Sequence, residues 1–193
     1  MKMYTVGRYL CANLERSNDV GDQLFKLVIT GAFNTGKTTF IRSLSETAAV
    51  DTDKATTTAE EQRVKASTTV AMDYGRFQLD DIRVQLFGTP GQPRFDFMRE
   101  ILAKDMNGFL VMVDLAEPST IDTAATLVAQ FKDYQAVPYA VVANKSDLNS
   151  SVSPTALREQ LQLPPNIHIY LCTATDRDSV REVVRRFMRD ARK

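Results

Sequence analysis

The segment Gly31-Ala32-Phe33-Asn34-Thr35-Gly36-Lys37-Thr38 constrains this chain more than any other. It fits the pattern G-x-x-x-x-G-K-[ST]. It directly follows an apolar run, Leu24–Thr30, and precedes a helical stretch, Thr39–Leu44, which is the strand–loop–helix context the pattern requires. Gly31 and Gly36 let the backbone turn tightly, so successive N–H groups converge on one point. The helix that follows adds the positive end of its dipole. Lys37 supplies a cation for the outer phosphates of a nucleotide, and the Thr38 hydroxyl suits Mg²⁺. Asn34, Thr35 and Thr39 complete the set of loop residues expected to border the phosphates.

Such a loop needs a sheet behind it, and the sequence supplies one. Four short apolar runs, Leu24–Thr30, Phe109–Leu115, Tyr139–Ala143 and Ile167–Cys172, read as strands buried on both faces of a parallel sheet. Thr69–Leu79 and Ile82–Phe87 flank Asp80-Asp81 and alternate in part, as in an antiparallel hairpin with one wet face. The expected architecture is α/β: six strands, mostly parallel, with one antiparallel edge strand and helices on both faces. Helices are expected after a Ser119-x-x-Asp122 capping box, after Ser153-Pro154, and after Asp178 or Ser179. The last carries the apolar stripe Val180, Val183, Val184, Phe187, Met188 and Ala191. Thr47–Thr68 reads as a loop. Residues 1–20 read as a short N-terminal extension holding a helix or a strand, and residues 21–193 as one domain, since 193 residues leave little room for a second core.

The remaining composition mainly excludes. Lys plus Arg and Asp plus Glu each number 24, so net charge gives no reason to expect nucleic acid as a partner. Cys11 and Cys172 make neither a disulfide framework nor a metal-ligand spacing, and the single histidine, His168, leaves no material for most His-dependent nucleophiles. No run approaches the ~20 apolar residues of a membrane span. Leader and lipid-anchor signals are missing as well, so a cytoplasmic protein, monomeric and without a membrane anchor, is expected.

A second motif names the base. Asn144-Lys145-Ser146-Asp147 follows the expected strand Tyr139–Ala143, at the carboxyl edge where open α/β sheets bind ligands. The Asp147 carboxylate can accept both N–H groups on the N1/N2 edge of guanine. Adenine offers no such pair and would leave the charge unmatched, which disfavours an ATPase.

With these two motifs in place the chain resembles the Ras-like small GTPase superfamily from about Leu24 to the C-terminus, with the three-layer P-loop G domain that this implies. Its Thr89-Pro90-Gly91-Gln92 wording is closest to the prokaryotic MglA-like and conservon-type proteins. The resemblance implies that GTP and GDP bind with Mg²⁺, that two switch loops present the bound state to effectors, and that a Roadblock-type partner activates hydrolysis. It gives Thr69 the role of completing the metal shell, with Thr68 as rival and Thr56–Thr58 behind them. Gly91 would donate its N–H to the γ-phosphate, Gln92 would orient the attacking water beside Lys37, and Thr173 and Ala174 would border the base, with the Ala174 N–H meeting its oxygen.

Three positions depart from the pattern. The Asp that usually opens switch II is Gly88, which removes a carboxylate from the metal's surroundings. Phe33 stands where Gly is common, either obstructing an incoming arginine finger or packing on switch II. Pro93 restricts the backbone of Gln92. Slow hydrolysis is therefore expected, and a binding module with little hydrolysis is the alternative. Arg63, Arg76 and Arg94 are better read as surface charge than as a built-in finger, and the basic face of the last helix as solvated.

Overall fold

The structure is a computed structural model, and it describes residues 23–46, 72–91, 96–148 and 152–192. In chain order the described elements are β1 (Gln23–Gly31), α1 (Lys37–Leu44), β2 (Asp73–Leu79), β3 (Ile82–Gly88), α2 (Asp96–Ala103), β4 (Gly108–Asp114), α3 (Ser119–Tyr134), β5 (Tyr139–Asn144), α4 (Pro154–Gln160), β6 (Ile169–Leu171) and α5 (Arg177–Asp190). One sheet of six strands holds them in the order β2-β3-β1-β4-β5-β6. Every neighbouring pair is parallel except β2 with β3. The expected architecture, including the antiparallel edge strand, is the observed one.

The burial pattern explains why those strands read as they do. All seven residues of β4 are buried, because helices cover both faces of the sheet at its centre. Leu27, Ile29, Leu110, Met112 and Val142 face α1 and α5, packing with Phe40, Ile41, Val184 and Phe187. Val28, Phe109, Val111, Val141 and Ala143 face the other way, onto Ile121, Leu127 and Phe131 of α3 and Leu157 of α4. Edge strand β2 alternates instead: Gly75, Phe77 and Leu79 are buried while Arg76 and Gln78 are exposed. Arg76 is thus an exposed residue on an edge strand, in keeping with surface charge.

Helix starts needed more correction than strands. Ser153 caps α4 as expected, its Oγ accepting the Ala156 N–H at 3.1 Å with Pro154 at the first turn. Ser119 does not cap α3. Pro118 already has helical dihedrals, and a turn closing Thr120 N–H onto Glu117 C=O draws Ser119 inside the helix. Thr120 then does the polar work, accepting the Asp114 N–H and donating to Glu117 C=O. The cap of α5 is Asp176, whose carboxylate accepts the Asp178 N–H at 2.9 Å, and not Asp178 or Ser179. Ser179 is diverted to accept the Thr173 N–H. The last strand is shorter than Ile167–Cys172, and helix α2 was not anticipated, because its apolar residues split between a buried and an exposed side: Leu102 and Ala103 are buried while Phe97 and Ile101 are exposed.

Candidate functional site

The parallel strands β1, β3, β4, β5 and β6 end on one edge of the sheet, and the loops that follow them gather there. Strand order reverses beside β1, so its loop lies at the point where open α/β sheets leave a crevice. Gly31 (φ +150°) and Gly36 (φ +95°) hold conformations that L side chains rarely adopt. A Cβ on Gly36 would also fall 2.3 Å from the Asn144 amide nitrogen, so this glycine is what lets the phosphate loop meet the base-reading strand. Asn34 takes the left-handed conformation at φ 63°. Thr35 is fully buried and its hydroxyl donates to Ala32 C=O at 3.0 Å, closing the loop on itself, while Thr39 is exposed in the first turn of α1.

Lys37 folds back over this loop. Its Nζ donates to Gly31 C=O at 2.9 Å and Ala32 C=O at 2.6 Å, and the residue is only 7% exposed. Burial pulls the ammonium's pKa down to about 8, against the opposing pull of the Asp73 carboxylate and with a smaller push from Arg99. Next to it the Thr38 hydroxyl donates to Asp73 Oδ2 at 2.5 Å. Asp73 opens β2 and lies opposite Gly88 in the β2–β3 ladder. Sequence reasoning noticed the missing carboxylate at Gly88 but not this one. The signal was the pairing register, which a hairpin around Asp80-Asp81 fixes and which sets Asp73 beside Gly88.

The base-reading segment is braced across three strands. Asn144, 2% exposed at the end of β5, donates its amide to Thr35 C=O at 2.8 Å and accepts the Ala174 N–H at 2.9 Å. The Ala174 N–H expected to meet the base oxygen is therefore held by Asn144 here, and Ala174 C=O accepts from Ser43 of α1 at 3.0 Å. Lys145 (φ 60°) directs its Nζ to Asp114 Oδ2 at 2.5 Å, where the buried Asp114 also accepts the Ala116 N–H. Asp147 is exposed and accepts from the Thr173 hydroxyl at 3.3 Å. Ser146 N–H binds Cys172 C=O at 3.1 Å, tying the reader to the loop after β6. Cys172 itself is fully buried, and burial raises its thiol to about 11, so it is an inert core residue.

In the loop after β3, expected to be switch II, Thr89 is 2% exposed and anchored by its N–H to Ile29 C=O and its hydroxyl to that of Thr30. The backbone of Gly91 then runs against the phosphate loop: a Cβ there would lie 2.8 Å from Phe33 N and Cα. The Phe33 ring itself is 71% exposed, so the described residues do not bury it. Thr68, Thr69, Gln92, Pro93, Arg63 and Arg94 lie outside the described residues. On α5, Arg185 pairs with Glu182 at 3.3 Å, Arg189 with Asp190 at 3.4 Å, and Arg186 lies over the Tyr170 ring. Among the described residues no helix is long and apolar enough to cross a membrane.

A six-stranded sheet whose first loop is G-x-x-x-x-G-K-T and whose fifth strand ends in Asn-Lys-x-Asp defines a P-loop fold with a guanine-type reader. The sequence model of the Ras family matches residues 26–193, and the chain belongs to that family of small GTP-binding proteins. It is 32% identical over 123 residues to an uncharacterized protein of Methanocaldococcus jannaschii, covering 64% of this chain and 71% of that one. It is 27% identical over 180 residues, 92% of its length, to EF-hand calcium-binding domain-containing protein 4B of Homo sapiens, but spans only 23% of that protein. A Ras-related protein Rab11E of Lotus japonicus is 23% identical over 144 residues, covering 72% of this chain and 60% of the plant protein.

Proposed function

We propose that this chain is a guanine-nucleotide switch that holds GTP or GDP with Mg²⁺, hydrolyses GTP slowly and is reset with the help of partner proteins. The observation that carries this reading is Asn144: one buried amide joins the phosphate loop at Thr35 to the loop of Ala174, so base and phosphates are read by a single braced unit. Lys37 would exchange its carbonyl partners for the outer phosphates, and Asp147 would accept the guanine N1/N2 edge. Thr38, with Asp73 beside it, offers the hard oxygen donors that suit Mg²⁺, and Thr69 is the proposed second ligand. When bound, Mg²⁺ supplies positive charge to the phosphate oxygens as the γ-phosphoryl group leaves.

Slow hydrolysis follows from the entrance to the site. Phe33, whose ring is exposed, would obstruct a partner's arginine, and such an arginine is worth ~10³–10⁵ in rate. Gln92 is proposed to orient the attacking water, with Pro93 limiting its backbone. The Thr89-Pro90-Gly91-Gln92 wording supports a place near the MglA-like and conservon-type proteins, a cytoplasmic setting, and an activating partner of the Roadblock type.

Nucleotide extracted from the purified protein should be GDP or GTP; ADP or ATP would overturn the guanine reading. Asp147→Asn should move preference from guanine to xanthine nucleotides, and unaltered GDP affinity in that variant would remove Asp147 from the site. Single-turnover assays on the isolated protein should yield little GDP within an hour, against a Gln92→Leu control.

A further inference from the structure

Helix α5 sets aside two local rules at once. Arg177, Arg181, Arg185 and Arg189 recur at every fourth residue, so they form one ridge along the helix, about 6 Å apart. Like charges at that spacing repel, and Arg177 opens the helix at the end where its dipole is already positive. Arg177, Arg185 and Arg189 are exposed and Arg181 is half-buried. Among the described residues Arg177 and Arg181 form no ion pair. Arg185 meets Glu182 at 3.3 Å in solvent, a kind of pair that contributes little, and Arg189 shares Asp190 with the Tyr170 hydroxyl. The fold does not use the ridge, because α5 packs through Val180, Val183, Val184, Phe187 and Met188. Local consistency given up without a packing gain is the mark of a functional surface.

The chemistry of the face says what fits it. None of the large exposed apolar residues lies on α5, so the ridge lacks the aromatic or aliphatic anchors around which protein interfaces are built. With its apolar stripe in the core, α5 has nothing to insert between acyl chains, so any contact is electrostatic and stays at the surface. Asp178 and Glu182 are exposed beside the arginines. A fixed chain of phosphates would meet them as well, whereas mobile headgroups can gather at the ridge and leave the carboxylates to water. A straight row of cations on the convex outside of a helix therefore suits a flat, fluid, anionic surface.

We propose that the arginine ridge of α5 is a docking surface for an anionic lipid bilayer, held by charge alone and therefore reversible. Helices α1 and α5 cover one face of the sheet, whereas α3, α4 and Ala103 of α2 pack on the other. A domain resting on α5 thus keeps α2 turned away from the lipid, with the loops at the sheet edge open to other molecules. The proposal stands apart from the nucleotide reading, since no residue of the ridge belongs to that site.

The test is co-sedimentation of the purified chain with vesicles of phosphatidylcholine alone and of phosphatidylcholine with about one-third phosphatidylserine. Wild type should bind only the anionic vesicles, and binding should fade as salt rises toward about 0.5 M, where surface charge is screened. Each ridge arginine should be worth about fivefold in affinity, so Arg181→Gln with Arg185→Gln should weaken binding by about 25-fold. The same double variant should melt no lower than wild type, because it relieves a like-charge contact. Arg76→Gln, which removes an exposed arginine from β2, should leave vesicle binding unchanged. Equal binding to neutral vesicles, no binding at low salt, or full binding by the double variant would each overturn the proposal. Tighter binding to a DNA or RNA duplex, lost in the double variant, would overturn it too and give the ridge to nucleic acid.

Discussion

At the base-reading end of the site a neutral amide does the joining, whereas at the phosphate end a buried ammonium rests on backbone carbonyls. Asn144 binds Thr35 C=O and the Ala174 N–H, both inside the fold, and Ser43 ties Ala174 to α1. None of these bonds needs a ligand. Lys37, by contrast, sits on the carbonyls of Gly31 and Ala32, and Thr38 on Asp73. The reading given above requires Lys37 to let go when phosphate arrives. On the proposed function one end is a template and the other an exchange site. A switch needs both, because only the exchange end can respond to the presence of a γ-phosphate.

The contrast separates ligand affinity from stability, and the largest effect should be on affinity. Lys37→Met should weaken GDP binding by about 3 kcal/mol or more, since it removes the charge that replaces water at buried phosphates. It should barely change the melting temperature of the nucleotide-free protein, because it also removes a desolvated ammonium. Calorimetric titration and thermal unfolding of the same sample check both halves.

Asn144→Ala should do the reverse to the empty protein. It strands the buried Ala174 N–H and Thr35 C=O and should cost about 2–3 kcal/mol, lowering the melting point by about 5–10 °C. If both variants lowered the melting point equally, the contrast between template and exchange site would be gone.

The smallest effect concerns pH. In the empty site Lys37 titrates near 8, below its ordinary 10.5, because burial disfavours the charge. Bound phosphate favours the charged form, so binding above that pH must take up a proton. GDP affinity measured in EDTA should therefore hold steady from pH 6 to 7.5. It should then fall as pH rises through 8, by up to about tenfold per unit. Lys37→Met should flatten that slope, and a slope that survives in the variant would assign the effect to another group.

Much of the site was legible because its chemistry sits in contiguous words. Gly31–Thr38 and Asn144–Asp147 each place their residues by local turn geometry, after strands that are mostly apolar, and the fold brings both to the same sheet edge. What was not legible depends on residues far apart in the chain. Asp114, 31 positions before Lys145, and Asp73, 35 positions after Thr38, acquire their roles only through strand order and ladder register. The α5 cap escaped for a different reason: Asp176, Asp178 and Ser179 are all competent caps. The choice among them fell to tertiary bonds, with Ser179 taken by Thr173.

The amino-acid sequence by itself determined the class of fold, the phosphate loop and the base reader. Continuous burial, glycines at positive φ and short motifs are local demands that residue type alone can meet. Tertiary structure decided where the carboxylates stand. Asp73 is unremarkable in the sequence, and it becomes the partner of Thr38 only because an antiparallel edge strand sets it against a glycine with no side chain to compete for the space.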